Sequence, residues 1–83
     1  MEITIYTKSS CSYCGKIKEL LERVDLEYTE KRLGVDFTSE DFRRLFPNER
    51  GYPRLLIDGE LIGGLTESVK YFVERGMITS KRK

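Results

Sequence analysis

Residues 53–64 read PRLLIDGELIGG, and this stretch decides which sheet the chain builds. Pro53 to Ile57 and Glu60 to Ile62 are short apolar runs separated by Asp58-Gly59, a two-residue hairpin signal. The hairpin makes those strands antiparallel neighbours. Gly63-Gly64 then breaks the chain. Thr66 to Arg75 carries Val69, Phe72 and Val73 at helical spacing, which predicts a helix with those three facing inward and Gly76 as its C′ residue.

Upstream, Ile3 to Tyr6 alternates as a strand and runs into the polar loop Thr7 to Ser10. Ile17, Leu20, Leu21 and Val24 fall on one face of a helix over Tyr13–Val24, closed by Asp25. Leu26 to Glu30 alternates again, predicting a second strand, and Leu33 to Thr38 reads as a loop. Ser39 or Thr38 can cap a short helix through Phe46, with Glu40 and Asp41 at its positive end and Pro47 as its stop. The spacing of Phe37, Phe42 and Phe46 reads as packing rather than a binding stripe. The order is β-α-β-α-β-β-α. Strands joined through a helix run parallel, so the hairpin completes a mixed four-stranded sheet with helices on both faces. No linker or repeat divides residues 1–83, which predicts a single domain.

The 83 residues carry 15 basic and 14 acidic side chains, a net charge of +1, which gives no reason to expect a polyanion partner. The basic tail Ser80 to Lys83 reads as a solvated terminus. No apolar run approaches the ~20 residues that span a bilayer. EITIY begins a strand with no signal-peptide core before it, so a reducing cytoplasmic setting is expected.

In such a setting the two cysteines of SSCSYCGK (Ser9 to Lys16) are catalytic or metal-binding sooner than a staple. With no His and no third Cys, one chain cannot assemble a four-ligand Cys/His zinc site; two chains sharing their cysteines can. Cys11 falls where the first helix begins, and unpaired N–H groups there favour a thiolate. Lys8, Lys16 and Lys18 add positive potential, while Cys14, one turn on, has its back to the core. The competing reading, two ordinary buried thiols, ignores that placement. Cys11 and Cys14 therefore read as a reacting pair, attacker and resolver. Two further features sit near strand ends. A cis bond before Pro53 would turn the backbone groups of Tyr52 outward, and Gly63-Gly64 would let another backbone approach a helix N-terminus.

Taken together, YTKSSCSYC (Tyr6 to Cys14), YP before LLIDG (Tyr52 to Gly59) and IGG before a helix (Ile62 to Gly64) resemble glutaredoxins of the dithiol type. The resemblance implies a thioredoxin-like fold. It also implies a glutathione-dependent oxidoreductase that reduces protein disulfides and glutathione mixed disulfides, passing electrons to a cytosolic client. Cys11 and Cys14 would be catalytic. Lys8, Tyr13, Tyr52, Pro53, Gly64, Leu65 and Thr66 would bind glutathione, Tyr52 through its backbone and Leu65 and Thr66 through N–H groups on the γ-glutamyl carboxylate. No tightly bound cofactor is implied. The expected partners are glutathione and disulfide-bearing clients, with ribonucleotide reductase among the family's clients, and the expected state is a monomer.

The chain departs from the family pattern at Ser12, usually Pro, at Gly51-Tyr52, usually Thr-Val, and at Leu65-Thr66. Altered glutathione affinity follows from those changes, with Glu67 as a substitute partner for the glutamyl amine. Ser12 also opens an alternative found among CSYC glutaredoxins, a [2Fe–2S] dimer in which Cys11 and glutathione supply the thiolates. Arg43, Arg44, Arg50 and Arg54 read equally as solvated charge or as a basic rim to the site.

Overall fold

The structure, a computed structural model, describes residues 1–49 and 51–78. Arg50 and the basic tail from Ser80 lie outside the described residues. The elements are β1 (Ile3–Thr7), α1 (Ser12–Arg23), β2 (Thr29–Arg32), α2 (Ser39–Leu45), β3 (Arg54–Ile57), β4 (Glu60–Gly63) and α3 (Leu65–Glu74). The sheet order is β2-β1-β3-β4, with β1 parallel to β2 and antiparallel to β3, and β3 antiparallel to β4. The expected mixed sheet is therefore present.

Strand alternation divides the core by face. Ile3, Ile5, Leu55 and Ile57 join Ile17, Leu20 and Leu21 of α1 and Phe72 of α3 on one side. Tyr6, with Leu56 and Leu61, meets Phe37, Phe42 and Phe46 around α2 on the other. The three phenylalanines are core, as their spacing suggests. Tyr6 packs edge-on against Phe37 and Phe46, at 5.0 and 5.3 Å between ring centroids.

Three expectations need correction. The second strand is not Leu26 to Glu30 but Thr29–Arg32. Asp25 turns left-handed (φ 59°), and the Leu26 N–H donates back to the Leu21 carbonyl at 3.0 Å, so the chain is still closing α1 there. Leu26 and Tyr28 alternate because they pack on the core, without a strand partner.

The inner face of α3 is also rotated from the expected one. Phe72 is fully buried, as expected, but so is Ser68, whereas Val69 is 36% exposed and Val73 only half-buried. Ser68 tolerates burial because its hydroxyl donates to the Gly64 carbonyl at 2.7 Å, within its own helix. Thr38, not Ser39, caps α2: Thr38 Oγ1 accepts the Asp41 N–H while the Asp41 carboxylate accepts the Thr38 N–H. Those bonds from Thr38 hold the Asp41 carboxyl below its usual value, and Arg44 adds to the effect.

Third, Lys18 does not lend its charge to the cysteines. Its Nζ lies 2.9 Å from the Glu30 carboxylate, whose same Oε2 accepts the hydroxyl of buried Thr7 at 2.7 Å. Partial burial pushes the Glu30 carboxyl up, but the Lys18 and Thr7 hydrogen bonds outweigh it and leave it lowered. The trio ties α1 and β2 to the end of β1, which fixes the loop that leads to Cys11.

Candidate active site

Cys11 is the N-cap of α1, in extended conformation (φ −121°, ψ 105°), and its Sγ accepts the Cys14 N–H at 3.2 Å. Serine and aspartate offer an oxygen at this position; here a sulfur takes the place. Ser10 enters the turn with φ 57°, and the first turn of α1 contains no acidic residue. The two cysteines are disulfide-bonded, with Cα atoms 5.3 Å apart. Cys14 is 4% exposed and Cys11 half-buried. One sulfur is thus reachable and the other is screened.

An N–H donor and a helix start aimed at Sγ stabilise its ionised form. In the reduced Cys14→Ser variant, Cys11 is expected to titrate at roughly 3.5–7.5 rather than ~8.5. Thiolate absorbance in the ultraviolet measures this, and a midpoint near the unperturbed value would refute it.

Beside the cysteines runs a groove of about 240 Å³ lined by Tyr13, Tyr52, Pro53, Arg54, Gly64, Leu65, Thr66 and Glu67. It gathers six of the seven positions expected at a glutathione site. Lys8, the seventh, is not in its lining, but its Nζ sits 5.8 Å from the Tyr52 ring centroid. The Tyr52–Pro53 peptide is cis, and no hydrogen bond among the described residues uses the Tyr52 backbone N–H or C=O. Tyr13 projects into solvent, 58% exposed. Partial burial raises the Tyr52 phenol, against the opposing charge of Arg43.

Two contributors had weaker signals in sequence. Arg54 lies across the floor: its Nη1 donates to the Pro53 carbonyl at 2.9 Å, and its Nε lies 2.8 Å from Glu49 Oε1. That Nε–H is buried and not aimed at any acceptor, so the Glu49 contact is an ion pair rather than a hydrogen bond. Glu67 folds back to accept the Gly64 N–H at 2.9 Å, the half of a capping box that a glycine N-cap permits.

These two side chains pack against the glycine pair. A Cβ on Gly64 would lie 2.6 Å from Arg54 Nη1, and one on Gly63, which already has φ 135°, would lie 2.7 Å from Glu67 Cβ. Gly63-Gly64 admits the chain's own Arg54 and Glu67, beyond any approach by a ligand.

The Glu67 carboxyl is lowered by its own backbone N–H and by that of Gly64, with Arg54 adding a coulombic pull. Because the folded-state value is depressed, its stabilising effect is present above the ordinary 4.5 and disappears as pH falls through the lowered value. Glu67→Gln is therefore expected to flatten the acid limb of the stability–pH curve. Urea midpoints between pH 3 and 7 report this; an unchanged slope would refute it.

Residues 3–62 match the family model for glutaredoxin. The chain belongs to the glutaredoxin family. It is 37% identical over 70 residues to the hybrid peroxiredoxin hyPrx5 of Haemophilus influenzae, covering 84% of this chain and 29% of that protein. It is 32% identical over 69 residues to mitochondrial glutaredoxin-2 of Bos taurus, covering 80% of this chain and 44% of that one. The chain thus spans less than half the length of either relative. Reduced Escherichia coli glutaredoxin superposes with a TM-score of 0.75 at 25% identity, covering 94% of this chain and all of that one. The fold is thioredoxin-like. Glutaredoxins are thiol–disulfide oxidoreductases, and Cys11 and Cys14 fit the dithiol site of that family.

Proposed function

We propose that this chain is a glutathione-dependent thiol–disulfide oxidoreductase, with Cys11 as the attacking thiolate and Cys14 as the resolving thiol. The observation that carries the reading is the asymmetry of the pair: a half-buried Cys11 Sγ on an N–H donor at the start of α1, against a screened Cys14. Cys11 attacks a substrate disulfide, one sulfur bonds to Cys11, and the other departs as a thiolate and takes a proton. Cys14 then attacks Cys11 Sγ, releasing the bound thiol; where the bound thiol is glutathione, a second glutathione can instead attack the glutathione sulfur, which frees Cys11 as a thiolate and releases glutathione disulfide. When Cys14 acts, two glutathiones reduce the resulting Cys11–Cys14 disulfide and leave as glutathione disulfide, so two electrons pass from glutathione to substrate.

The groove supports glutathione as the reductant. An extended cysteinyl backbone pairs with the unused N–H and C=O of Tyr52 beside Pro53, as in strand addition. The N–H groups of Leu65 and Thr66 receive its γ-glutamyl carboxylate, since the Glu67 carboxylate uses only the Gly64 N–H among the three residues Gly64 to Thr66. Lys8 and Tyr13 border the remainder.

The test is glutathione-coupled reduction of a small mixed disulfide, run beside the same reduction driven by thioredoxin reductase. Turnover is expected only with glutathione; the opposite result would sink the assignment of reductant. In protein purified without oxygen, a visible absorption lost on Cys11→Ser would instead favour a [2Fe–2S] dimer with glutathione as co-ligand. Protein disulfides are the proposed substrates, and ribonucleotide reductase stands among the candidate clients on family resemblance.

A further inference from the structure

A second groove, of about 400 Å³, meets the first at Tyr52 and is lined by Ser39, Phe42, Arg43, Pro47, Glu49 and Tyr52. The first groove gathers six of the seven positions expected of glutathione; of this groove's lining residues only Tyr52 is among them. Its wall is aromatic, with the Phe42 and Tyr52 rings 4.6 Å apart between centroids. Its charges are unequal. Glu49 is already paired with Arg54, whereas Arg43 makes no ion pair among the described residues; its neighbour Arg44 pairs with Asp41 at 3.3 Å. The ammonium of Lys8 stands over the same Tyr52 ring. The groove is thus a mixed polar and apolar trough in which Arg43 is a cation with no ion-pair partner among the described residues, continuous with the place where a substrate backbone would cross Tyr52.

We propose that this groove receives the client polypeptide flanking the reacting cysteine, and that it selects an acidic side chain within about three residues of that cysteine. The inference rests on the oxidoreductase reading and adds the class of client to it. An extended chain advances about 3.3 Å per residue with side chains on alternate faces. A strand paired with Tyr52 therefore carries its second or third flanking residue past the Tyr52 ring. There an Asp or Glu meets Arg43, and an apolar neighbour covers Pro47 and the open face of Tyr52. In the reaction, Cys11 takes one sulfur of the client disulfide and the other leaves as a thiol. Cys14 then displaces the client, which departs as a dithiol, while Cys11 and Cys14 become the disulfide.

The experiment compares kcat/KM for cyclic peptide disulfides that differ only in Glu or Lys at each position within three residues of a cysteine. In the unmodified protein, Glu peptides are expected to react about fivefold faster than Lys peptides at one or more positions, the upper end for an exposed charge pair. Arg43→Glu should invert that ratio, and raised salt should shrink it. The ratio within each variant is independent of how fast that variant turns over. A ratio near one at every position, or the same ratio in Arg43→Glu, overturns the inference. Loss of turnover with the small mixed disulfide overturns the oxidoreductase reading instead, so the two failures are distinct.

Discussion

Replacing Cys11 with Ser is expected to remove reduction of both glutathione mixed disulfides and protein disulfides, by more than about 100-fold, because a serine hydroxyl is not ionised at neutral pH. Cys14 cannot take over. It is 4% exposed and faces the core, so an incoming disulfide does not reach it. Replacing Cys14 with Ser separates the reactions. Attack on a mixed disulfide leaves glutathione on Cys11, and a second glutathione clears it without help, so most of that activity stays. Attack on a protein disulfide leaves a bulky client on Cys11. Cys14, whose Cα lies 5.3 Å from that of Cys11, resolves it at an effective concentration far above that of free thiol. Its loss should slow protein-disulfide reduction by at least about tenfold. Initial rates on the two substrate classes, with each single variant, check the pattern. Equal loss of mixed-disulfide activity in both variants would mean that the roles of attacker and resolver are wrongly assigned.

Much of this site was readable before any coordinates. The hairpin at Asp58-Gly59, the cysteine at a helix start and the break at Gly63-Gly64 are local signals, and local signals survive folding. What sequence could not show depends on contacts distant along the chain. Lys18 looked like a spare cation beside the cysteines until Glu30, on the neighbouring strand, was seen to neutralise it. Arg54 read equally as solvated charge or as a rim to the site, yet its guanidinium packs against Gly64, where a larger residue would have to displace it. Leu26 and Tyr28 alternate convincingly, but alternation reports burial, and burial does not require a ladder partner. The orientation of α3 failed for a related reason: three apolar residues outvoted a serine that satisfies its own hydroxyl.

The α3 residue that sequence and structure both turn inward carries the largest stability effect expected in this protein. Phe72 is fully buried and is the α3 residue within the core formed by Ile3, Ile5, Ile17, Leu21 and Leu55. Phe72→Ala removes most of a ring from a close-packed interior and leaves a cavity, at a cost of about 3–5 kcal/mol. Domains of this kind have ~5–15 kcal/mol in total, so the variant should be close to unfolding at 37 °C. Val69→Ala, on the face first expected to point inward, removes a side chain already 36% exposed and should cost under about 1 kcal/mol. Because Phe72 is buried in either orientation, the urea midpoint of Val69→Ala decides between them; a loss well above about 1 kcal/mol at Val69 would restore the orientation suggested by sequence. The consequence extends to the site, because the first turn of α3 supplies Leu65, Thr66 and Glu67 to the groove. A Phe72→Ala protein that remains folded at low temperature should therefore bind glutathione more weakly, while Cys11, held at the start of α1, should titrate as it does in the unmodified α3 background. Parallel loss of both properties would mean that α3 and the cysteine turn are not independently supported.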